Sequence, residues 1–225
     1  MTPIQEIYKA LKFVSNATVL TKVQSETIAP ILETEINMRE ERHIRHLLHR
    51  SGLKPIKKIE DFSWDFNMKI DRDGITRMIE TSWHNDVRNF TLIGPSGVGK
   101  THLAKSACYK AILNGIPATF ITCHDLIMKL KESRNRSAAL NYYATVKLLC
   151  IDEIGYIFPE AKDANELFQI ISKRSELTST IITTNIIPSQ WGKIFEAATA
   201  TAILDRLSYN GIFITCEGKS YRSKK

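Results

Sequence analysis

The stretch Phe90-Thr91-Leu92-Ile93-Gly94-Pro95-Ser96-Gly97-Val98-Gly99-Lys100-Thr101-His102-Leu103-Ala104 decides the fold. Phe90 to Ile93 is a short apolar run suited to a buried strand. It leads into Gly94 to Thr101, which fits G-x-x-x-x-G-K-[ST], and then into a helical pattern over Lys100 to Asn114. Gly94, Gly97 and Gly99, with Pro95, Ser96 and Val98 between them, let backbone N–H groups turn inward on a phosphate. The helix that follows adds the positive end of its dipole. Lys100 supplies a mobile charge for the β and γ oxygens, Thr101 a hydroxyl for Mg²⁺, and His102 joins the nucleotide contacts in the first helical turn. The expected ligand is ATP with Mg²⁺.

Outward from this loop, short apolar runs alternate with longer helical patterns. Strands are expected at Phe90 to Ile93, Ala118 to Thr122, Leu148 to Ile151, Thr180 to Thr184 and Ile212 to Thr215. Helices are expected at Lys100 to Asn114, Asp125 to Arg134, Asn165 to Glu176 and Thr199 to Leu207. This alternation predicts an α/β core with a mostly parallel five-stranded sheet between helices. Gly52 to Lys58, with Pro55 and three lysines, reads as a linker, dividing a helical region at 1–58 from an ATPase domain at 59–225.

Two further strand ends carry chemistry. The run Leu148-Leu149-Cys150-Ile151 ends in Asp152-Glu153, where strands of α/β folds meet their ligands. Asp152 is placed to hold Mg²⁺ with Thr101, and Glu153 to orient or deprotonate the water that attacks the γ-phosphate. The strand Thr180 to Thr184 runs into Asn185, whose amide can reach the γ-phosphate or that water. A turn residue ahead of Pro188 is the other reading.

Composition narrows the classes. With 43% apolar and 24% charged residues the chain has the make-up of a globular protein rather than a disordered one. No apolar run reaches the roughly 18 residues of a membrane span, and the N-terminus lacks a signal-peptide stretch, so a cytoplasmic location is expected. Cys108, Cys123, Cys150 and Cys216 are far apart and have no CxxC spacing, which points to buried reduced thiols. The 31 Lys plus Arg against 24 Asp plus Glu give a net charge of +7, which favours a polyanionic partner.

The local wording carries a resemblance. Gly-Lys-Thr-His-Leu-Ala at 99–104, Ile-Asp-Glu-Ile-Gly at 151–155, Thr-Thr-Asn at 183–185, Leu-Asp-Arg-Leu at 204–207 and Gly-Lys-Ser-Tyr-Arg at 218–222 resemble the IstB-like transposition ATPases. These belong to the AAA+ branch of P-loop ATPases, with helicase loaders of the DnaC type as near relatives. The similarity runs from about Glu35 to Arg222. It implies that Arg206 is an arginine finger reaching the ATP site of a neighbouring copy, with a surface pair to Asp205 as the plainer alternative. It also implies a nucleotide-sensing role for Arg222, which belongs as well to a basic tail. The few residues after the last strand leave no room for a helical lid domain.

The same resemblance marks Lys129, Lys131, Arg134 and Arg136 as a DNA-facing surface, because initiators and loaders of this branch carry a DNA-meeting insertion there. A solvated helix face is the other reading. Ahead of the linker, Ile44, Leu47 and Leu48 line one side of a helix, and Arg39 and Arg42 stand on the basic side, which suits phosphates or water. Ile4, Ile7, Leu11 and Val14 suggest a further amphipathic helix, which the resemblance makes a docking site for a transposase. Trp64 and Trp191 read as core residues.

Together these expectations describe an ATPase that assembles into homo-oligomers on duplex DNA and helps the transposase of its mobile element. A helicase loader, a small-molecule phosphotransferase and a nonhydrolysing switch are the competing readings.

Overall fold

The computed structural model describes residues 7, 11, 20–66, 69–156 and 159–221. The chain divides into two compact units, Met1–His46 and Leu47–Lys225. In the first, Ile7 is buried against Leu11, Leu20, Ala29, Leu32 and Ile36. The last three belong to α1 (Lys22–Arg50). Ile4 and Val14, the other members of the expected amphipathic helix, lie outside the described residues.

The second unit contains α2 (Arg72–Glu80), β1 (Asn89–Ile93), α3 (Lys100–Leu113), β2 (Ala118–Thr122), α4 (Cys123–Glu132), α5 (Arg136–Thr145), β3 (Leu148–Ile154), α6 (Ala161–Arg174), β4 (Ser179–Thr184), α7 (Ala197–Ser208) and β5 (Gly211–Thr215). The five strands form one sheet in the order β2-β3-β4-β1-β5, and every pairing is parallel. β1 and β4 are buried almost end to end, as expected for strands covered on both faces.

One face holds a core in which Leu149, Ile151 and Ile182 meet Leu126, Leu130, Leu167, Ile170 and Ile203. Trp191, 0% exposed, joins it from the short 3-10 turn Pro188–Lys193. Cys150 points the other way, towards Cys108 of α3. All four cysteines are buried free thiols, and burial pushes Cys123 and Cys216 up to about 12. Trp64 is only half-buried, edge-on to Phe62 at 4.9 Å with Arg72 stacked on its ring.

The expected helix at Asp125 to Arg134 is α4, and a second helix, α5, follows it where none was expected. Thr122 caps α4 by accepting the Asp125 N–H at 3.0 Å, and Asn135 caps α5 by accepting the Ala138 N–H at 3.0 Å. The Asn135 cap was the available signal for α5. Arg174, fully buried at the end of α6, ties α5 to β4. It donates to the carbonyls of Tyr143, Val146 and Ser179 and to Thr180 Oγ1.

The Gly52–Lys58 stretch is not a free linker. Ser51 and Leu53 are buried, the Phe120 N–H donates to the Ser51 carbonyl at 2.7 Å, and Lys105 Nζ donates to the Lys54 carbonyl at 3.0 Å. The edge of β2 and the flank of α3 offer unpaired polar groups that this segment satisfies.

Candidate functional site

Because β4 lies between β3 and β1, the ends of three strands far apart in sequence open side by side. There they border a cavity of about 540 Å³ lined by Ser96 to Thr101, Glu153, Thr183, Thr184 and Asn185. The phosphate loop leaves β1 with the Gly94 N–H donating to the Thr184 carbonyl at 3.2 Å. At Gly97 the backbone is left-handed, φ +83°, and a Cβ would come within 2.1 Å of Ser220 Oγ, so glycine is needed there for both conformation and space.

Lys100, 9% exposed, donates Nζ to the carbonyls of Gly94 at 2.6 Å and Pro95 at 2.8 Å, which holds the ammonium against the loop. Thr101 Oγ1 donates to Asp152 at 3.0 and 3.1 Å to its two oxygens. Asp152 is 2% exposed and also accepts from Thr183 Oγ1. Burial raises its carboxyl above the usual carboxylate range, while Thr183, Thr101, Lys105 and Lys100 pull it back down. The pair of hard oxygen donors, Thr101 and Asp152, suits Mg²⁺.

Glu153 follows with φ +63°, a conformation that costs a non-glycine residue about 1–3 kcal/mol. Its N–H donates to Thr183 Oγ1 at 3.0 Å. One threonine on β4 therefore holds both halves of the acidic pair. Asn185 stands exposed at the cavity wall.

Several wall residues were not assigned to the site from the sequence. Pro55, Lys57, Asp61 and Phe62 line the cavity. Phe62 lies edge-on to His102 at 5.4 Å, and the His102 ring contacts the Lys58 carbonyl through Nε2 at 2.7 Å. His102 thus borders the cavity while anchoring the preceding segment. From the other end of the chain, Tyr221 lines the cavity and its N–H donates to the Gly97 carbonyl at 2.8 Å. Tyr156 lines it too, with its hydroxyl hydrogen-bonded to that of Ser96. Lone aromatic and proline residues carry no motif, so only folding reveals them here.

Other expected site residues lie elsewhere. Arg206, on α7, does not line this cavity; its side chain is 45% exposed and Nη1 donates to Asp205 at 2.7 Å. Of the basic run, Lys129 and Arg134 are exposed. Lys131 is held by Asp163 at 2.8 Å, and Arg136 is paired with Glu166. Both acids belong to α6 and are more than nine-tenths buried, so two of the four expected DNA contacts serve to attach α4 and α5 to α6. On α1, Arg39 pairs with Glu35 at 2.6 Å and Arg42 is exposed. Arg222 lies outside the described residues. Among the described residues no cluster suits a metal held by His, Cys and carboxylates alone, and no helix is long and apolar enough to cross a membrane.

The model of the family described as IstB-like ATP binding protein matches residues 3–225. The chain is 37% identical over 203 residues to the ATP-binding protein of insertion sequence IS232 from Bacillus thuringiensis subsp. berliner, covering 88% of this chain and 81% of that one. To the ATP-binding protein of insertion sequence IS21 from Pseudomonas aeruginosa it is 33% identical over 204 residues, covering 89% and 77%. Among solved structures, the fold is similar to DnaI, with a TM-score of 0.60 at 21% identity over 78% of this chain and 92% of that one. It is also similar to the replication initiator DnaA bound to AMPPCP and single-stranded DNA, with a TM-score of 0.61 at 18% identity over 73% and 51%. With its phosphate loop, its acidic pair and its five parallel strands, this chain belongs to the IstB-like ATP-binding protein family and is a P-loop ATPase of the AAA+ fold.

Proposed function

We propose that this ATPase assembles into homo-oligomers on duplex DNA while ATP is bound and assists the transposase of its own mobile element. The observation that carries the reading is the division of the catalytic set. Lys100, Thr101, Glu153 and Asn185 border one cavity with Asp152 beneath them, whereas Arg206 stands exposed outside it. The insertion-sequence setting of the relatives supports a transposase as the partner.

In this mechanism Lys100 exchanges its loop carbonyls for β and γ oxygens. Thr101 and Asp152 would hold Mg²⁺, which would supply charge neutralisation to the bound phosphates. Glu153, its backbone fixed by Thr183, orients and deprotonates the attacking water, and Asn185 hydrogen-bonds the terminal phosphate. Arg206 leaves Asp205 to enter the site of a neighbouring copy, so turnover depends on assembly. Arg222 reads nucleotide from the tail. Lys129 and Arg134 neutralise backbone phosphates without reading sequence, with Lys131 and Arg136 adding to them only by leaving their α6 acids, and Arg39 and Arg42 of α1 do the same in their own unit.

The test is phosphate release and particle size on duplex DNA across ATP, ADP and no nucleotide. Glu153→Gln should leave an ATP-bound oligomer on DNA with hydrolysis largely abolished. Arg206→Ala should lower DNA-stimulated turnover by about 10³-fold, the lower end of what a finger contributes. An Arg206→Ala protein that hydrolyses ATP at the parental rate on DNA would rule out the shared site. Tighter binding to single than to double strands would favour the helicase-loader reading.

A further inference from the structure

The turn that carries Glu153 also brings Tyr156 to the phosphate loop. Glu153 at φ +63° and Gly155 at φ +103° reverse the chain, and the Tyr156 N–H closes the turn on the Glu153 carbonyl at 3.3 Å. The phenol then meets the hydroxyl of Ser96, 60 residues earlier. Tyr156 is 51% exposed, so burial does not hold it there. Its position follows from a left-handed non-glycine residue on one side and a hydrogen bond to the loop on the other, and strained backbone of this kind is kept where a side chain has to be aimed.

The cavity has two distinct flanks. Phe62 touches Gly99 and His102, so the Pro55 to Phe62 wall faces the start of α3. Tyr156 touches Ser96 and the Glu153 turn, so it covers the part of the loop next to the carboxylate that acts on the terminal phosphate. A phenol has one proton to donate, and a phosphate oxygen is a stronger acceptor than a hydroxyl because the hydrogen bond is charge-assisted.

We propose that Tyr156 adds to Lys100 and Asn185 a further contact by which this site tells triphosphate from diphosphate. Its hydroxyl exchanges Ser96 Oγ for a terminal-phosphate oxygen when ATP is bound, and stays on Ser96 when the ligand is ADP. The proposal rests on the ATPase reading of the cavity, and it assigns a specificity role to a side chain outside the loop and the acidic pair.

Calorimetric titration of the full chain with AMPPCP and with ADP, both with Mg²⁺, tests it. Tyr156→Phe should weaken AMPPCP about fivefold, the difference between a hydrogen bond to a charged acceptor and the bond to Ser96 that it replaces, with ADP affinity unchanged and the nucleotide-free protein losing only one exposed hydrogen bond. Ser96→Ala releases the phenol from its resting partner and should raise the preference for AMPPCP over ADP. Equal losses for both ligands in Tyr156→Phe, no loss for either, or a Ser96→Ala protein whose preference falls as in Tyr156→Phe would each overturn the exchange, the last by making the hydroxyl pair a static strut. Failure of the parent protein to bind either nucleotide would instead overturn the site reading and the proposal with it.

Discussion

Thr183 on β4 donates its hydroxyl proton to the Asp152 carboxylate at the end of β3, and the same oxygen accepts the N–H of Glu153. Thr183→Val keeps the shape and removes both bonds. A buried carboxylate loses one donor and a backbone N–H loses its acceptor, so stability should fall by about 2 kcal/mol. For a chain of this size that lowers the melting temperature by about 4–8 °C. Phosphate release should fall by about tenfold or more because Glu153 is no longer fixed, and thermal denaturation with a turnover assay checks both effects.

Asp152 gives a pH-dependent prediction whose sign follows from its burial. Its carboxyl is raised above the usual range, so the folded state holds the proton more tightly than the unfolded state. Its contribution is most favourable below the ordinary aspartate value and is lost as pH rises through the raised one. Asp152→Asn removes that penalty. The variant should melt higher than the parent near neutral pH, the gain should shrink to nothing in acid, and ATP hydrolysis should be abolished. Melting curves across pH, beside phosphate release, decide it.

Gly52 tests whether the segment before the core is part of the site. Its φ is +74° and an added Cβ would lie 2.3 Å from the Phe120 carbonyl oxygen. Gly52→Ala should cost about 2 kcal/mol or more, from left-handed strain alone about half of that. Nucleotide affinity should fall as well, since Pro55 and Lys57 line the cavity. Urea unfolding and nucleotide titration separate the two.

Lys129 and Arg134 are the exposed members of the basic run, whereas Lys131 and Arg136 are paired with Asp163 and Glu166. Replacing Lys129 and Arg134 together by alanine should reduce the slope of log affinity against log salt on duplex DNA by about 2, roughly 0.9 per phosphate contact. Replacing Lys131 and Arg136 leaves two buried carboxylates without their cations, and that pair should show itself first as a lower melting temperature.

The alternation of apolar runs with helical spacing gave all five strands to within a few residues at either end, because β1 to β4 are buried nearly throughout and rich in apolar and β-branched side chains, while β5, at the sheet edge and buried only at Ile214, still carries Ile212, Phe213 and Ile214. α5 was missed because the basic run drew the reading to charge, although Asn135 was present as a cap. The Gly52–Lys58 segment looked like a linker because its glycine, proline and lysines are loop residues. Its docking depends on the free edge of β2 and on Lys105, 51 residues away.

Residue type and spacing by themselves determined that a phosphate loop sits between a strand and a helix and that a carboxylate pair ends another strand. Those features are local, set by glycine backbone freedom and by the periodicity of apolar side chains. Tertiary structure alone decided that β4 lies between β1 and β3, placing Thr183 on Asp152 and Glu153, and brought Tyr156 to Ser96 and Tyr221 to Gly97. Strand order and loop closure bring those partners together across tens of residues, and no local pattern encodes a contact whose two halves are each ordinary.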